Sequence, residues 1–207
     1  MSLPQQPPRG VHLVGSVPLR NADEVFETAS SILQGRLRRV PDGETGVRAG
    51  WIGWQSQVFA AHPQLEEVPR DPADYRRLTE FRIRNAAFPD SLSFSDLGYA
   101  KAAKDSYADF KRLKESGSIP EPYRFQVSLP TPLAPILGFV EPASQVAVEP
   151  AYESRLLAEV DEISATIPHD QLAIQWDTAV EFAVLEGVWP SFLMEPERQI
   201  VERLVRI

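Results

Sequence analysis

Apolar residues along this chain alternate between short continuous runs and helix-spaced repeats, with polar loops between them. Val11 to Ser16 (VHLVGS) is a short apolar run closing on glycine and serine, the pattern of a buried strand. Asn21 stands three residues before Glu24, a capping-box-like helix start. Behind it Val25, Ala29, Ile32 and Leu33 share one helical face, and Gly35 is placed to end the helix. Residues 36–40 predict a second strand, followed by the polar loop Val40–Arg48 (VPDGETGVR) and a helical stretch from about Ala49 to Ala61.

Further on, Asp71-Pro72 opens a helix with Tyr75, Leu78 and Phe81 inward, Pro89 breaks the chain, and residues 92–94 form a short extended segment. Residues 102–115 carry Ala103, Tyr107 and Phe110 at helical spacing, and Gly117 closes that helix. Residues 123–129 alternate as a strand and stop at Pro130-Thr131-Pro132. From Glu149-Pro150 an amphipathic helix runs through Tyr152, Leu156, Val160 and Ile163 until Pro168 ends it. Residues 172–176 form the next strand, which delivers Asp177 at its C-terminal end, and Glu195-Pro196 begins a last helix reaching Ile207. Residues 1–10 read as a flexible arm and residues 11–207 as one domain.

Strand, polar loop and helix recurring about four times is the signature of parallel β/α units, an α/β fold. Each strand ends in polar chemistry: Gly15-Ser16, Asp42-Gly43-Glu44, Ser128 with Thr131, and Gln175 with Asp177. In parallel α/β folds the C-terminal strand ends share one rim, where ligands bind.

Composition narrows the function classes. The formal net charge is -8, and the nearest basic patch is Arg36, Arg38 and Arg39, three charges that solvate a strand start, so no nucleic-acid partner is expected. The chain has no cysteine, which excludes disulfides, thiolate zinc sites and a cysteine nucleophile and fits a cytoplasmic protein. The N-terminal residues lack a signal peptide's apolar core, and no run approaches a membrane span, so no membrane partner is expected either.

Asp42, Glu44 and Arg48 read in two ways. Asp-Gly supplies the backbone geometry of a turn, with Arg48 pairing an acid at the surface. Alternatively the loop binds a ligand, Arg48 gripping a carboxylate or phosphate while the acids take an amine or hydroxyl or act as acid and base. Trp51 and Trp54 favour the ligand loop, since amphipathic aromatics wall small-molecule pockets. Asp177 is either a helix cap or a ligand for a substrate amine, and Ser16 either a cap or part of the rim. His62 and His169 adjoin prolines or helix ends and are expected in surface loops, while His12 suits a core layer or the rim. There is no G-x-S-x-G, Walker loop or G-x-G-x-x-G after a strand, so neither a nucleophile elbow nor a nucleotide loop is supported.

Val14-Gly15-Ser16 followed by Pro18, together with Ile174-Gln175-Trp176-Asp177, resembles the catalytic (β/α)8 barrel of cobalamin-independent methionine synthase. With the Val40–Arg48 loop and Ser128–Pro132, the pattern is similar to stand-alone proteins of the methionine-synthase/uroporphyrinogen-decarboxylase-like superfamily, over most of residues 11–182. The resemblance implies that Gly15 and Ser16 hold a substrate carboxylate and that Asp177 binds the substrate amine. Asp177 is followed here by Thr178-Ala179, where the family has Glu-Pro, so the acid after the aspartate is missing. The family's zinc ligands, a histidine, a glutamate and two cysteines, come from the barrel's second half, so no cofactor is expected within this chain and zinc only with ligands from that half. A (β/α)8 barrel takes about 250 residues, and the chain ends at Ile207 after about four units.

The expectation is therefore the first half of a TIM barrel, binding a small amino- or carboxy-bearing substrate at its strand ends. Asp42 and Glu44 are the acid/base candidates; Gly15, Ser16, Arg48, Trp51, Ser128, Gln175 and Asp177 line the site. The complete protein is expected to transfer a group, a methyl to a thiol. The alternatives are a metal-independent decarboxylase-like relative using Arg48 and Asp42, and a non-catalytic ligand-binding or assembly half-barrel. Half a closed sheet leaves strand edges unpaired, so the expected partner is a second copy in a homo-oligomer or a complementary second half-barrel.

Overall fold

A computed structural model describes residues 9–69, 79–84 and 92–207. In chain order the elements are α1 (Ala22–Ile32), β1 (Arg39–Pro41), α2 (Ser56–Ala61), β2 (Leu65–Glu67), β3 (Phe81–Ile83), α3 (Tyr99–Glu115), β4 (Arg124–Pro130), α4 (Leu133–Phe139), α5 (Pro142–Thr166), β5 (Leu172–Asp177), α6 (Ala179–Leu185) and α7 (Pro196–Arg206). β1, β4 and β5 form a three-stranded sheet in that order, and both pairings are parallel. The fold is thus mixed α/β around a parallel sheet, with three parallel strands among the described residues instead of the four units expected.

The missing strand is Val11–Ser16. Val11 N donates to Arg36 O and Val17 N to Gly43 O, each at 2.9 Å, so the segment runs beside β1 in the same direction without a continuous ladder. Side chains take its carbonyls instead. Gln126 Nε2 donates to Leu13 O and Val14 O at 2.9 and 3.0 Å, Ser128 Oγ to Val14 O at 2.9 Å, and Gln175 Nε2 to Val14 O at 2.5 Å. An apolar run predicts extended backbone, but whether it joins the ladder depends on which donors the neighbouring strands present.

Alternation along the strands separates the two faces of the sheet. Val40, Phe125, Val127, Leu129 and Leu172 are buried on the face that meets the helices. There Phe26 of α1, Phe110 of α3 and Phe125 form an aromatic triangle with ring centroids 5.6–5.9 Å apart. The opposite face carries Arg39, Gln126, Ser128 and Gln175, and the 13–16 segment lies against it.

Asn21 caps α1, its side-chain oxygen accepting from Glu24 N at 2.9 Å. The reciprocal half of a capping box is absent because Glu24 instead accepts from Arg20 N and Nε. The expected helix at 49–61 is one short 3-10 turn, Gly53–Gln55, followed by α2. The long helix expected from Glu149 starts earlier, at Pro142, and carries Pro150 inside it. The carbonyl partner that Pro150 cannot serve belongs to Val146, an exposed residue.

Phe81, expected in a helix, lies in β3, which pairs antiparallel with β2. It is buried and stacks on Phe59, 6.0 Å between centroids. The helix start at Asp71-Pro72, with Tyr75 and Leu78, the break at Pro89 and residues 1–8 of the expected arm lie outside the described residues. His62 is buried, not at the surface: its ring packs on Phe94 and its Nε2 lies 3.0 Å from Ser93 O. Among the described residues no helix is long and apolar enough to cross a membrane.

Candidate functional site

The 13–16 segment, the loop after β1 and the C-terminal end of β5 enclose a cleft of about 680 Å³. Gly15, Ser16, Glu44, Trp51, Gln175 and Asp177 all line it. Residues up to 162 positions apart in the chain therefore meet at one site, as parallel strand ends do.

The loop after β1 is shaped by its backbone. Gly43 has φ of 80°, and a Cβ added there would stand 2.6 Å from Val25 Cγ2 in the core, so glycine is required on both counts. Among the described residues, the non-glycine residues with positive φ are Glu44 at 49° and Trp51 at 59°. Both line the cleft. A tryptophan in left-handed backbone is an outlier costing roughly 1–3 kcal/mol, and such strain collects where side chains are held for a purpose.

Glu44 is a buried side chain of the cleft, 9% exposed. Its Oε2 accepts a short hydrogen bond from Ser16 Oγ. Gly15 passes so close that a Cβ there would meet Ser128 Oγ at 3.2 Å and Glu44 Oε2 at 3.3 Å, which explains the glycine without any special φ. Burial pushes the Glu44 carboxyl above the ordinary range, the Ser16 hydrogen bond opposes this, and the nearby Asp177 and Asp42 charges add to the rise. Asp177 is also raised, by burial first, while hydrogen bonds from Gln175 and Trp51 hold it back. Gln175 Nε2 reaches Asp177 Oδ1 at 2.7 Å, and Gln175 Oε1 is buried with no partner among the described residues.

Asp42 and Arg48 lie behind this wall instead of in it. Arg48 Nη2 makes a short ion pair with Asp42 Oδ2, Ser106 Oγ donates to the same oxygen at 2.7 Å, and Glu44 N donates to Asp42 Oδ1 at 3.0 Å. Asp42 is 6% exposed. The Arg48 guanidinium is thus directed to Asp42, and the pair anchors the backbone that presents Glu44. Ser128 lies beneath the segment, donating to Val14 O and accepting from Gln126 Nε2 at 3.1 Å.

Two cleft residues escaped the sequence reading. Arg39, read as part of a basic strand start, lines the cleft, and its Nε is buried with no partner among the described residues. His12, left between core and rim, lines the cleft too, with Nδ1 3.5 Å from Arg39 Nη2. The signal available was alternation: with Val40 facing the helices, Arg39 had to face the other way.

Among the described residues no three His, Cys, Asp or Glu side chains group to hold a metal ion, so the donor set here does not make a zinc site. The chemistry of the cleft rests on two carboxyls, buried Glu44 and half-buried Asp177, with Arg39 and His12 elsewhere in its lining. A group with a raised pKa binds its proton more tightly in the folded protein than in the unfolded chain. Glu44 therefore favours folding below the ordinary glutamate value, and that contribution is lost as pH rises through its raised folded value. Glu44→Gln is expected to raise the thermal midpoint at pH 8 by about 2–4 °C and to flatten its dependence on pH between 5 and 8. Parallel midpoint-against-pH curves for the two proteins would contradict this.

No family model, curated protein or solved structure matches the chain.

Proposed function

We propose that this chain is the β/α half of a methionine-synthase-like barrel whose cleft binds a small amine-bearing molecule, and that the complete protein transfers a methyl group. The observation that carries the binding step is the pair of carboxyls, buried Glu44 and half-buried Asp177, facing one cleft at the strand ends beside Trp51. A bound ammonium offsets the cost of keeping both acids charged, since a positive charge within a few ångströms favours the ionised form. The same acids, held above their usual range by burial, are better placed to accept and return a proton than exposed carboxyls.

The parallel order β1-β4-β5, with a polar face opposite the helices, supports the barrel-half reading. β5 is a sheet edge among the described residues, which suits association with further β/α units from a second copy or a complementary chain. Asp42 and Arg48 are engaged with each other, which removes support from the decarboxylase-like alternative that would use them on substrate.

Titration calorimetry with hexylamine tests the reading. Asp177→Asn is expected to weaken binding about 10–100-fold, the range of a lost charge-assisted hydrogen bond, without lowering the unfolding midpoint. Binding that is equally strong in the variant, or absent in the parent at millimolar amine, would rule out an amine site at these acids.

A further inference from the structure

The cleft has a cationic end as well as an acidic one, and the sheet register sets them apart. Arg39 is level with Arg124 across β1 and β4, while Asp177 is level with Pro130 across β4 and β5. At about 3.3 Å per residue those backbone levels lie about 20 Å apart along the strands, and the side chains close part of that gap, since the His12 charge acts on Asp177. His12 stands beside Arg39, and the 13–16 segment between them and Glu44 keeps its Val14 carbonyl turned to Gln126, Ser128 and Gln175. The cleft is thus a trough along the strand direction, open between a guanidinium at one end and two carboxyls at the other.

Arg39 Nε is shut in with no acceptor among the described residues, and the neighbour of its Nη2 is an imidazole nitrogen at 3.5 Å. A buried donor without a partner costs about 1–3 kcal/mol, and an anionic group in the cleft pairs with the guanidinium that carries it. In an α-amino acid a single carbon separates ammonium from carboxylate, too short a spacing for one molecule to reach both ends.

Resting on the amine site above, we propose that the trough takes an elongated zwitterion, its anionic group on Arg39 and His12 and its ammonium between Glu44 and Asp177, with several methylenes between the two charges. Trp51, at the acidic end, walls the apolar spacer.

Calorimetry with three probes of equal carbon number tests it: 6-aminohexanoate, norleucine and hexylamine. The expected order is 6-aminohexanoate tightest, by at least tenfold over either of the others. Arg39→Gln should weaken 6-aminohexanoate at least tenfold and leave hexylamine unchanged, while Arg39→Lys restores part of the loss. Each protein's unfolding midpoint shows whether the variant has kept its fold, and the lysine variant carries the test if the glutamine variant has not. Norleucine binding as tightly as 6-aminohexanoate, or 6-aminohexanoate affinity indifferent to both Arg39 variants, overturns the elongated ligand. Hexylamine that still binds through Asp177 in that case leaves the amine site standing; no binding by any of the three probes overturns both.

Discussion

Replacing Asp42 by alanine is expected to destabilise the protein by about 3–5 kcal/mol, the cost of leaving the other member of a buried ion pair uncompensated. The Arg48 side chain is 17% exposed and that of Asp42 8%, so water cannot readily take over the guanidinium. Ser106 Oγ and Glu44 N lose their acceptor in the same step. The substitution should also abolish amine binding, because Asp42 holds the backbone that turns through Gly43 and presents Glu44 at φ of 49°. Urea unfolding at pH 7 checks the energy. The double variant Asp42→Ala/Arg48→Met is the decisive comparison: removing both charges should recover more than half of the lost stability. A double variant as unstable as Asp42→Ala alone would show that the cost lies in the turn and not in the orphaned cation.

Glu159→Ala is expected to cost about as much, roughly 3–5 kcal/mol, without touching the cleft. Glu159 is fully buried. Its carboxylate receives Leu97 N at 2.5 Å, Gly98 N at 3.3 Å and Ala100 N at 2.9 Å, closing the start of α3 where Gly98 turns at φ of 87°. Arg155 Nε also reaches it, at 3.2 Å. Leu97 N and Ala100 N at the positive end of a 17-residue helix would then lose their carboxylate acceptor, while Gly98 N keeps Asp96 Oδ1 at 2.7 Å and Arg155 keeps Glu162 at 2.9 Å. Since α3 packs on both α1 and α5, fraying its first turn weakens the helix layer under the sheet. Hydrogen exchange should show the loss concentrated at residues 97–103, with hexylamine affinity in the folded fraction unchanged. A stability loss under 1 kcal/mol would mean that water replaces the carboxylate.

What the two variants have in common is a carboxylate that joins a nearby arginine to donors about 60 residues away, and this marks the limit of what the sequence shows. Local pattern was enough for the helix and strand candidates that need only their own residues. Asn21 caps α1 through a bond to Glu24, three residues on, and Asp42-Gly43 turns because only glycine fits against Val25. Alternation in 124–130 separates a helix-facing row from a polar row, and proline starts α7. Asp177 at the end of an apolar run was legible for the same reason.

The amino-acid pattern by itself determined a parallel α/β chain with acids, glycine and serine at its strand ends. The tertiary structure alone decided which of them face one another. It drew Arg48 onto Asp42, turned Arg39 and His12 into the cleft, buried His62 against Phe94, and held 11–16 beside β1 by side-chain donors instead of a ladder. The reason is that a strand or cap is selected by neighbours a few residues away. A buried charge selects its partner by desolvation and reach, and Ser106 meets Asp42 across 64 residues of chain. No period in the sequence encodes that distance.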